Sequence, residues 1–187
     1  MHDLIAITAL GASEPQVETI GGITCTEVAN LALASVAARL GGEAACRERL
    51  ASLVGTVPAA GKAELTGPFS AKWVGPDQWM VGVEYEVQND IAAHVKAALG
   101  NTASVTEQTD AWSAFDLSGQ RINRVLELLC NINLSSVGAG SAARTSIHHL
   151  SCFVICRVPN ANVRILGPRA SATSLHSAIT TAMRSVR

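Results

Sequence analysis

The sequence repeats one order of secondary-structure signals, and this repeat constrains the fold more than any other feature. In residues 27–108, apolar periodicity predicts a strand, a helix, two strands, a second helix and a last strand. In residues 109–187 the same order returns without the last strand. Each half alone would leave an open sheet edge and an uncovered sheet face. We therefore expect residues 1–187 to form a single domain of two pseudo-repeats that share one core.

Boundary signals are clearest in the first half. A helix is predicted over 43–54 because its apolar residues share one face and Gly55 follows it. Residues 75–78 (GPDQ) predict a hairpin turn, since apolar residues alternate on both sides of it. Alternation and helical spacing place the remaining elements: a strand at 33–38, a helix at 91–99 capped by Asn89 or Asp90, and a strand at 103–107.

The second half lacks its closing strand. Its predicted elements are a strand at 111–117, a helix at 121–130, a long strand at 146–157, a strand at 161–166 and a helix at 171–183. An unassigned apolar segment, residues 4–10, stands at the start of the chain. We expect that N-terminal segment to cross over as a strand and complete the second half.

Composition indicates a globular chain whose surface is partly covered. Hydrophobic residues make up 48% and charged residues 16%, whereas typical domains carry about 25% charged residues. No apolar run is long enough to span a bilayer, and residues 1–10 lack the basic region of a secretory signal. The five cysteines have no metal-ligand spacing and are odd in number. The sequence therefore predicts a soluble cytoplasmic protein, in which Cys152 and Cys156 are buried thiols of an apolar strand.

Charge is distributed unevenly along the chain. Residues 1–127 hold fifteen acidic against eight basic residues, a net charge of −7, whereas residues 128–187 hold six arginines and no acid. We favour a fold that mixes these charges, or an acidic partner protein, over nucleic-acid binding. A pI near 6.5 is far below the values typical of nucleic-acid-binding domains.

Several motifs, in order along the chain, resemble one known family. They are residues 73–81 (WVGPDQWMV), 106–112 (TEQTDAW), 117–119 (LSG) with 126–130 (LELLC), 144–145 (RT), and 168–172 (PRASA) with 174–175 (SL). Together they resemble the gamma subunit of heterotetrameric sarcosine oxidase, over roughly residues 27–186. That family is similar in turn to the folate-binding domain of the glycine-cleavage T protein. The resemblance implies an α+β fold of duplicated βαββαβ-like halves with swapped first strands, the aminomethyltransferase-like folate-binding domain fold.

The resemblance also implies a role inside a complex. In that family, sarcosine is oxidatively demethylated to glycine, hydrogen peroxide is produced, and the one-carbon unit passes to tetrahydrofolate or leaves as formaldehyde. The implied partners are the alpha, beta and delta subunits, and the implied cofactors FAD, FMN, NAD, tetrahydrofolate and zinc belong to those other subunits. The gamma chain is then a structural or assembly subunit. The alternative is a stand-alone folate-binding protein like the T protein.

The residues suited to acid–base chemistry have simpler interpretations. On the predicted strand 146–157, His148 and His149 would face opposite sides, and no carboxylate follows nearby to orient either ring. We interpret them as half-buried structural or interface residues. Asp110 precedes a strand, where polar residues usually form turns or caps. We therefore expect no catalytic, cofactor-binding or metal-binding residue on this chain.

Two arginines are better candidates for specific contacts. Arg144 and Arg169 are predicted to form structural ion pairs or subunit contacts, because a guanidinium pairs with a carboxylate through two parallel hydrogen bonds. Arg144 lies between a Gly- and Ser-rich loop and a strand, a place where it can meet a carboxylate of another chain. Trp73 and Trp79 are predicted to be core or interface aromatics. Cys130 is predicted to be buried at a helix end, where the helix dipole raises a thiol pKa.

Overall fold

A computed structural model describes residues 5–186, apart from the side chain of Ser135, and shows eleven strands and four α-helices in this range. The strands are β1 (Val17–Ile20), β2 (Ile23–Val28), β3 (Leu31–Ala38), β4 (Ala63–Glu64), β5 (Ser70–Gly75), β6 (Gln78–Glu84), β7 (Ala103–Glu107), β8 (Trp112–Gly119), β9 (Ala142–Ile147), β10 (Leu150–Val158) and β11 (Asn162–Pro168). The helices are α1 (Glu43–Val54), α2 (Ile91–Leu99), α3 (Ile122–Leu129) and α4 (Ala172–Ser185).

The structure divides into two compact units, each with an antiparallel sheet. Unit 1 comprises residues 5–29, 110–139 and 143–186, and its six strands run in the order β1-β2-β8-β11-β10-β9. Unit 2 comprises residues 30–109 and 140–142, and its five strands run in the order β4-β5-β6-β3-β7. Within unit 1, β10-β11-β8-β2 repeats the order β5-β6-β3-β7 of unit 2. The predicted α+β fold of two duplicated half-units is confirmed.

Local signals account for the elements of unit 2. Helix α1 has the predicted bounds and buries Cys46, Leu50 and Val54, which lie on one face. Strands β5 and β6 form the predicted hairpin around a turn in which Asp77 has a φ of 53°. The Asp90 side chain caps α2 by accepting a hydrogen bond of 3.2 Å from the Ala93 amide.

The strand predicted at residues 4–10 is wrong for the described residues 5–10, and Leu4 lies outside them. Residues 5–10 form no strand. Instead β2 crosses over and pairs with β8, as β7 pairs with β3 in unit 2. Strand β2 suits this position because its side chains alternate between buried and half-buried and include β-branched residues. The swapped-strand topology therefore holds, with residues 23–28 in place of 4–10.

The long strand predicted at 146–157 is also wrong, since a turn interrupts it. His148 and His149 have φ values of 48° and 67°, and they join β9 to β10 in a two-residue hairpin. Two consecutive positive φ values are the signature of a type I′ turn, which usually carries Asn or Gly. Both rings are exposed, so the half-buried position predicted for them is corrected.

Within each unit, buried apolar side chains form a cluster between the sheet and the helices. In unit 1 the cluster joins the inner sheet face to α3 and α4, with Phe115, Leu126 and Ile165 among its members. In unit 2 it joins the sheet to α1 and α2 around Trp79 and Leu50. That the chain is a single domain whose half-units share one core stays a prediction.

Candidate interaction surface

Arginines of the basic C-terminal third fold back onto acids from the rest of the chain. Asp116 on β8 accepts hydrogen bonds from both Arg157 and Arg164, and Arg184 donates to Glu18 over 2.8 Å. Arg169 lies 4.0 Å from Asp110. The fold therefore mixes the two charge blocks, as the sequence predicted.

Asp116 is the centre of the tightest of these contacts. Its two oxygens each accept from Arg164, over 2.7 Å, in a bidentate pair, and Arg157 adds a third bond of 2.8 Å. The side chains of Asp116 and Arg164 are only 17% and 19% exposed. The Asp116 carboxylate is fully engaged, but two guanidinium groups share its single negative charge, so the cluster keeps one net positive charge.

Arg144 differs from these arginines. No carboxylate of the described residues lies within the 4.0 Å of a salt bridge to it, and its side chain is exposed. Its Nε donates to the Ser151 hydroxyl over 3.1 Å, and its Cζ lies 5.7 Å from the centroid of the Phe153 ring. A hydroxyl and an aromatic face thus orient the guanidinium, while its two terminal nitrogens point to no acceptor among residues 5–186.

An aromatic pair continues this surface along the sheet. The Trp112 and Phe153 rings lie 5.5 Å apart at 57°, a tilted arrangement that aromatic pairs favour. Phe153 is 3% exposed, whereas Trp112 is half-buried. We call Arg144, Ser151, Phe153 and Trp112 the Arg144 surface. The sequence indicates Arg144 as a candidate for a specific contact, but it does not show that the rings of Trp112 and Phe153 belong to the same surface.

Arg169 has a structural role instead. Besides the contact with Asp110, it donates to the backbone carbonyl of Ile7 over 3.2 Å. The guanidinium therefore holds the N-terminal segment against the rest of unit 1. Asp110 itself is 91% exposed and forms a short 3₁₀ turn before β8, in agreement with its interpretation as a turn residue.

The two histidines of the β9–β10 turn do not form an acid–base pair with a carboxylate in the described structure. Their ring centroids lie 5.9 Å apart. His148 borders a groove of about 770 Å³ between α3 and α4, whose lining includes Leu128, Ala178 and Ala182. The groove lining contains no Asp, Glu, Lys or Arg from the described residues. The groove therefore offers His148 no carboxylate that could orient its ring for general base catalysis.

Sequence analysis missed two polar residues, one buried and one half-buried. Glu27, 3% exposed, accepts hydrogen bonds from the Leu10 and Gln16 amides over 2.9 and 3.1 Å. His176 is half-buried, its ring is tilted against that of Phe115, and it lies 3.9 Å from Glu18. Two sequence features could have identified them: Glu27 stands at a buried position in the alternation of β2, and His176 lies next to the apolar face of α4.

All five cysteines are free thiols, and four of them are buried. Burial raises the pKa of Cys25 to about 12 and that of Cys152 to about 11. Burial also raises the pKa of Cys130, which follows α3. A thiol with a raised pKa is protonated at neutral pH and is a poor nucleophile. Cys152 and Cys156 are buried, as predicted, whereas Cys130, also predicted to be buried, is half-buried.

The tryptophans of the first half are accounted for by packing. Trp79 is 1% exposed, and its Nε1 donates to the Pro58 carbonyl over 3.1 Å. Arg47 lies over its ring at 5.0 Å. Trp73 is partly buried against the unit 2 cluster. Both are core aromatics, as predicted.

In residues 5–186, no three His, Cys, Asp or Glu side chains lie close enough together to hold a metal ion. Within the described part of the chain, no helix is both long and apolar enough to cross a membrane.

The fold is similar to those of two solved proteins. One is a heterotetrameric sarcosine oxidase from Corynebacterium sp. U-96, in complex with pyrrole 2-carboxylate, with a TM-score of 0.75 and 23% identity over 91% of this chain and 88% of that chain. The other is the glycine cleavage system aminomethyltransferase T from Bartonella henselae, with a TM-score of 0.62 and 12% identity. That match covers 84% of this chain and 45% of the aminomethyltransferase chain.

Sequence comparison adds no match: no protein-family model and no curated protein matches the chain. At these identities the structural similarity shows the fold. The chain has the fold shared by a chain of heterotetrameric sarcosine oxidase and by aminomethyltransferase T.

Proposed function

We propose that this chain is the gamma subunit of a heterotetrameric sarcosine oxidase and acts in assembly rather than in catalysis. The observation that carries the proposal is the fold match to a sarcosine oxidase chain, which covers 91% of this chain and 88% of the other. That match extends over most of both chains, whereas the aminomethyltransferase is more than twice as long as its matched part. The ordered motifs between residues 73 and 175 add independent support.

In this proposal the reaction takes place on other chains. The alpha, beta and delta subunits hold FAD, FMN, NAD, tetrahydrofolate and zinc, oxidise sarcosine to glycine, and pass on or release the one-carbon unit. The chain contributes folded surface. Its five free thiols suit a reducing compartment, and we propose the cytoplasm.

Co-expression tests the proposal directly. The tagged chain is produced with candidate alpha, beta and delta subunits, and the same three subunits are produced without it. We expect the chain to co-purify with them and to raise the yield of active oxidase. If it neither co-purifies nor changes yield or activity, the proposal is wrong.

Folate binding by the isolated chain is the second candidate, favoured by the fold shared with aminomethyltransferase T. Titration with tetrahydrofolate separates the two candidates. Saturable binding to the isolated chain supports the second candidate, and no binding up to millimolar ligand removes it. The first candidate predicts no binding.

A further inference from the structure

We propose that Arg144 is the point at which this chain binds a carboxylate side chain of another subunit. The inference rests on the proposed function, because it names the chemistry by which the chain is recognised in the assembly. It selects one arginine from the basic end of the chain and assigns it a partner of defined charge.

The other described arginines of residues 128–186 already contact acids within unit 1. Arg157 and Arg164 bind Asp116, Arg184 binds Glu18, and Arg169 lies beside Asp110. Arg144 alone of these five has no carboxylate within 4.0 Å among residues 5–186. The intramolecular pairing that explains its neighbours therefore does not explain Arg144.

Its contacts leave the binding end of the side chain open. The bond to Ser151 uses Nε, so the two terminal nitrogens retain four N–H donors. Two of these donors, parallel and about as far apart as the oxygens of a carboxylate, are the geometry of a bidentate pair. The bond to Ser151 and the position of Cζ over the buried Phe153 ring, 5.7 Å from its centroid, hold the guanidinium before a partner arrives. A side chain already held in place loses less entropy on binding than a free one.

The composition of the surface favours a protein partner. Arginine and tryptophan are enriched among residues that dominate protein interfaces, where an aromatic contact excludes water from a charged pair. Trp112, half-buried next to Phe153, offers that contact. A nucleic acid would require a row of unpaired cations. The four other described arginines of residues 128–186 each lie within 4.0 Å of an Asp or Glu, so Arg144 is the guanidinium of this group that is left to pair with an Asp or Glu of a partner.

Binding measurements on full-length variants test the inference. The dissociation constant for the purified alpha, beta and delta subunits is measured for the wild-type chain and for Arg144→Glu, Arg144→Lys and Arg39→Glu. Arg39 is the matched control, because it is exposed, has no carboxylate within 4.0 Å among the described residues, and undergoes the same charge change. Circular dichroism and the melting temperature confirm that each variant is folded.

We expect Arg144→Glu to raise the dissociation constant by about 100-fold. Arg144→Lys should raise it by about tenfold, because lysine keeps the positive charge but cannot form a bidentate pair or place a planar guanidinium over the Phe153 ring. Arg39→Glu should stay within about twofold of wild type. A single Asp→Lys or Glu→Lys substitution on the partner subunits should then restore binding of Arg144→Glu. Restoration identifies the carboxylate.

The outcomes separate this inference from the proposed function. If the wild-type chain binds and the folded Arg144→Glu variant binds with the same affinity, the inference is wrong and the proposed function still stands. Equal losses for Arg144→Glu and Arg39→Glu also overturn it, because they indicate a general effect of charge. Failure of the wild-type chain to bind overturns both.

Discussion

Asp116 shows how a single carboxylate can hold three strands together. It lies on β8 and binds Arg164 on β11 and Arg157 on β10. Removing one partner from a poorly exposed pair leaves the other charge without compensation, and that loss is the main energetic consequence. An exposed pair such as Arg47 with Asp77 loses much less, because water replaces the missing partner.

We therefore expect Asp116→Asn to lower the free energy of unfolding by about 2 kcal/mol. Asp77→Asn, the matched control, should lower it by less than about 1 kcal/mol. Urea denaturation of both variants measures the difference. Equal losses in the two variants would show that the partly buried position of Asp116 adds nothing to its pairing.

Cys25 predicts a loss of stability at alkaline pH. Burial, with the nearby acids Glu18, Asp116 and Glu27, raises its pKa from 9.0 to about 12. Below pH 9 the thiol is protonated in both the folded and unfolded states and adds no pH dependence. Between pH 9 and 12 the unfolded state ionises and the folded state does not, so the free energy of unfolding falls by up to about 1.4 kcal/mol per pH unit.

Urea denaturation of wild type and Cys25→Ala at pH 8 and at pH 10.5 tests this effect. The alanine variant loses packing equally at both pH values, so only the change between them is compared. We expect the wild type to lose more stability than the variant over this interval. The same loss in both proteins would exclude Cys25 as the source.

Individual residues could be predicted correctly where their role depends on the neighbouring sequence. Arg144, after a loop and on a strand, was selected as a candidate for a specific contact, and the structure places it apart from the ion pairs of unit 1. The partners of Arg164 and Arg184 were out of reach, because they depend on which strands lie side by side. Glu27 and His176 were missed because each is polar within an otherwise apolar register, and its bonding partners are distant in sequence.

At the scale of elements, the β9–β10 hairpin stands out for its sequence. Its turn places two histidines at positive φ, a conformation that costs a non-glycine residue about 1 kcal/mol or more. The sequence contains no Gly, Asn or Pro there, and for this reason periodicity predicted an uninterrupted strand. The correct hairpin is specified by pairing within the sheet rather than by the turn residues.

Replacing the turn with the residues this geometry favours should stabilise the protein. We expect the double variant His148→Asn with His149→Gly to raise the free energy of unfolding by about 1 kcal/mol. The control, Asn160→Gly, relieves a single positive φ of 59° and should gain less. A melting temperature of the double variant equal to or below that of wild type would contradict this account of the turn.

The crossover of β2 onto β8 depends on a close backbone approach. Gly119 pairs with Ile23 and has a φ of +125°, and a Cβ atom at this residue would overlap the Gly22 carbonyl oxygen. The backbone cannot give way without separating the two strands. Only glycine fits this position.

We expect Gly119→Ala to lower the free energy of unfolding by about 3 kcal/mol or more. Gly41→Ala is the matched control, because Gly41 has a φ of +80° and a Cβ atom added to it would meet no other atom within 4 Å. The control should lose only about 1 kcal/mol, the cost of the positive φ alone. Similar losses would mean that strand approach at Gly119 is not limiting.

Helices and hairpins with complete local signals could be predicted from sequence, and long-range strand placement could not. The bounds of α1 and the β5–β6 hairpin follow from spacing, a glycine stop and turn chemistry. The crossing strand was predicted at residues 4–10, an apolar segment that no other element used. The fold instead uses residues 23–28, whose alternation matches a sheet with one buried face.

At the scale of the whole molecule, the low content of charged residues and the Arg144 surface have a common explanation. A chain with 16% charged residues exposes less charge than a freely solvated domain of typical composition. Contact with larger subunits would cover part of that surface, and the exposed Arg144 would lie within the contact. The fold match to a chain of a heterotetrameric enzyme agrees with this arrangement.

The central claim is that the chain is a stoichiometric subunit of a sarcosine oxidase assembly. Native mass spectrometry of the complex purified through a tag on the beta subunit tests this most directly. We predict that the assembly containing the chain exceeds the assembly prepared without it by one copy, 19.4 kDa. An assembly of unchanged mass, with the chain recovered only in the unbound fraction, would contradict the account.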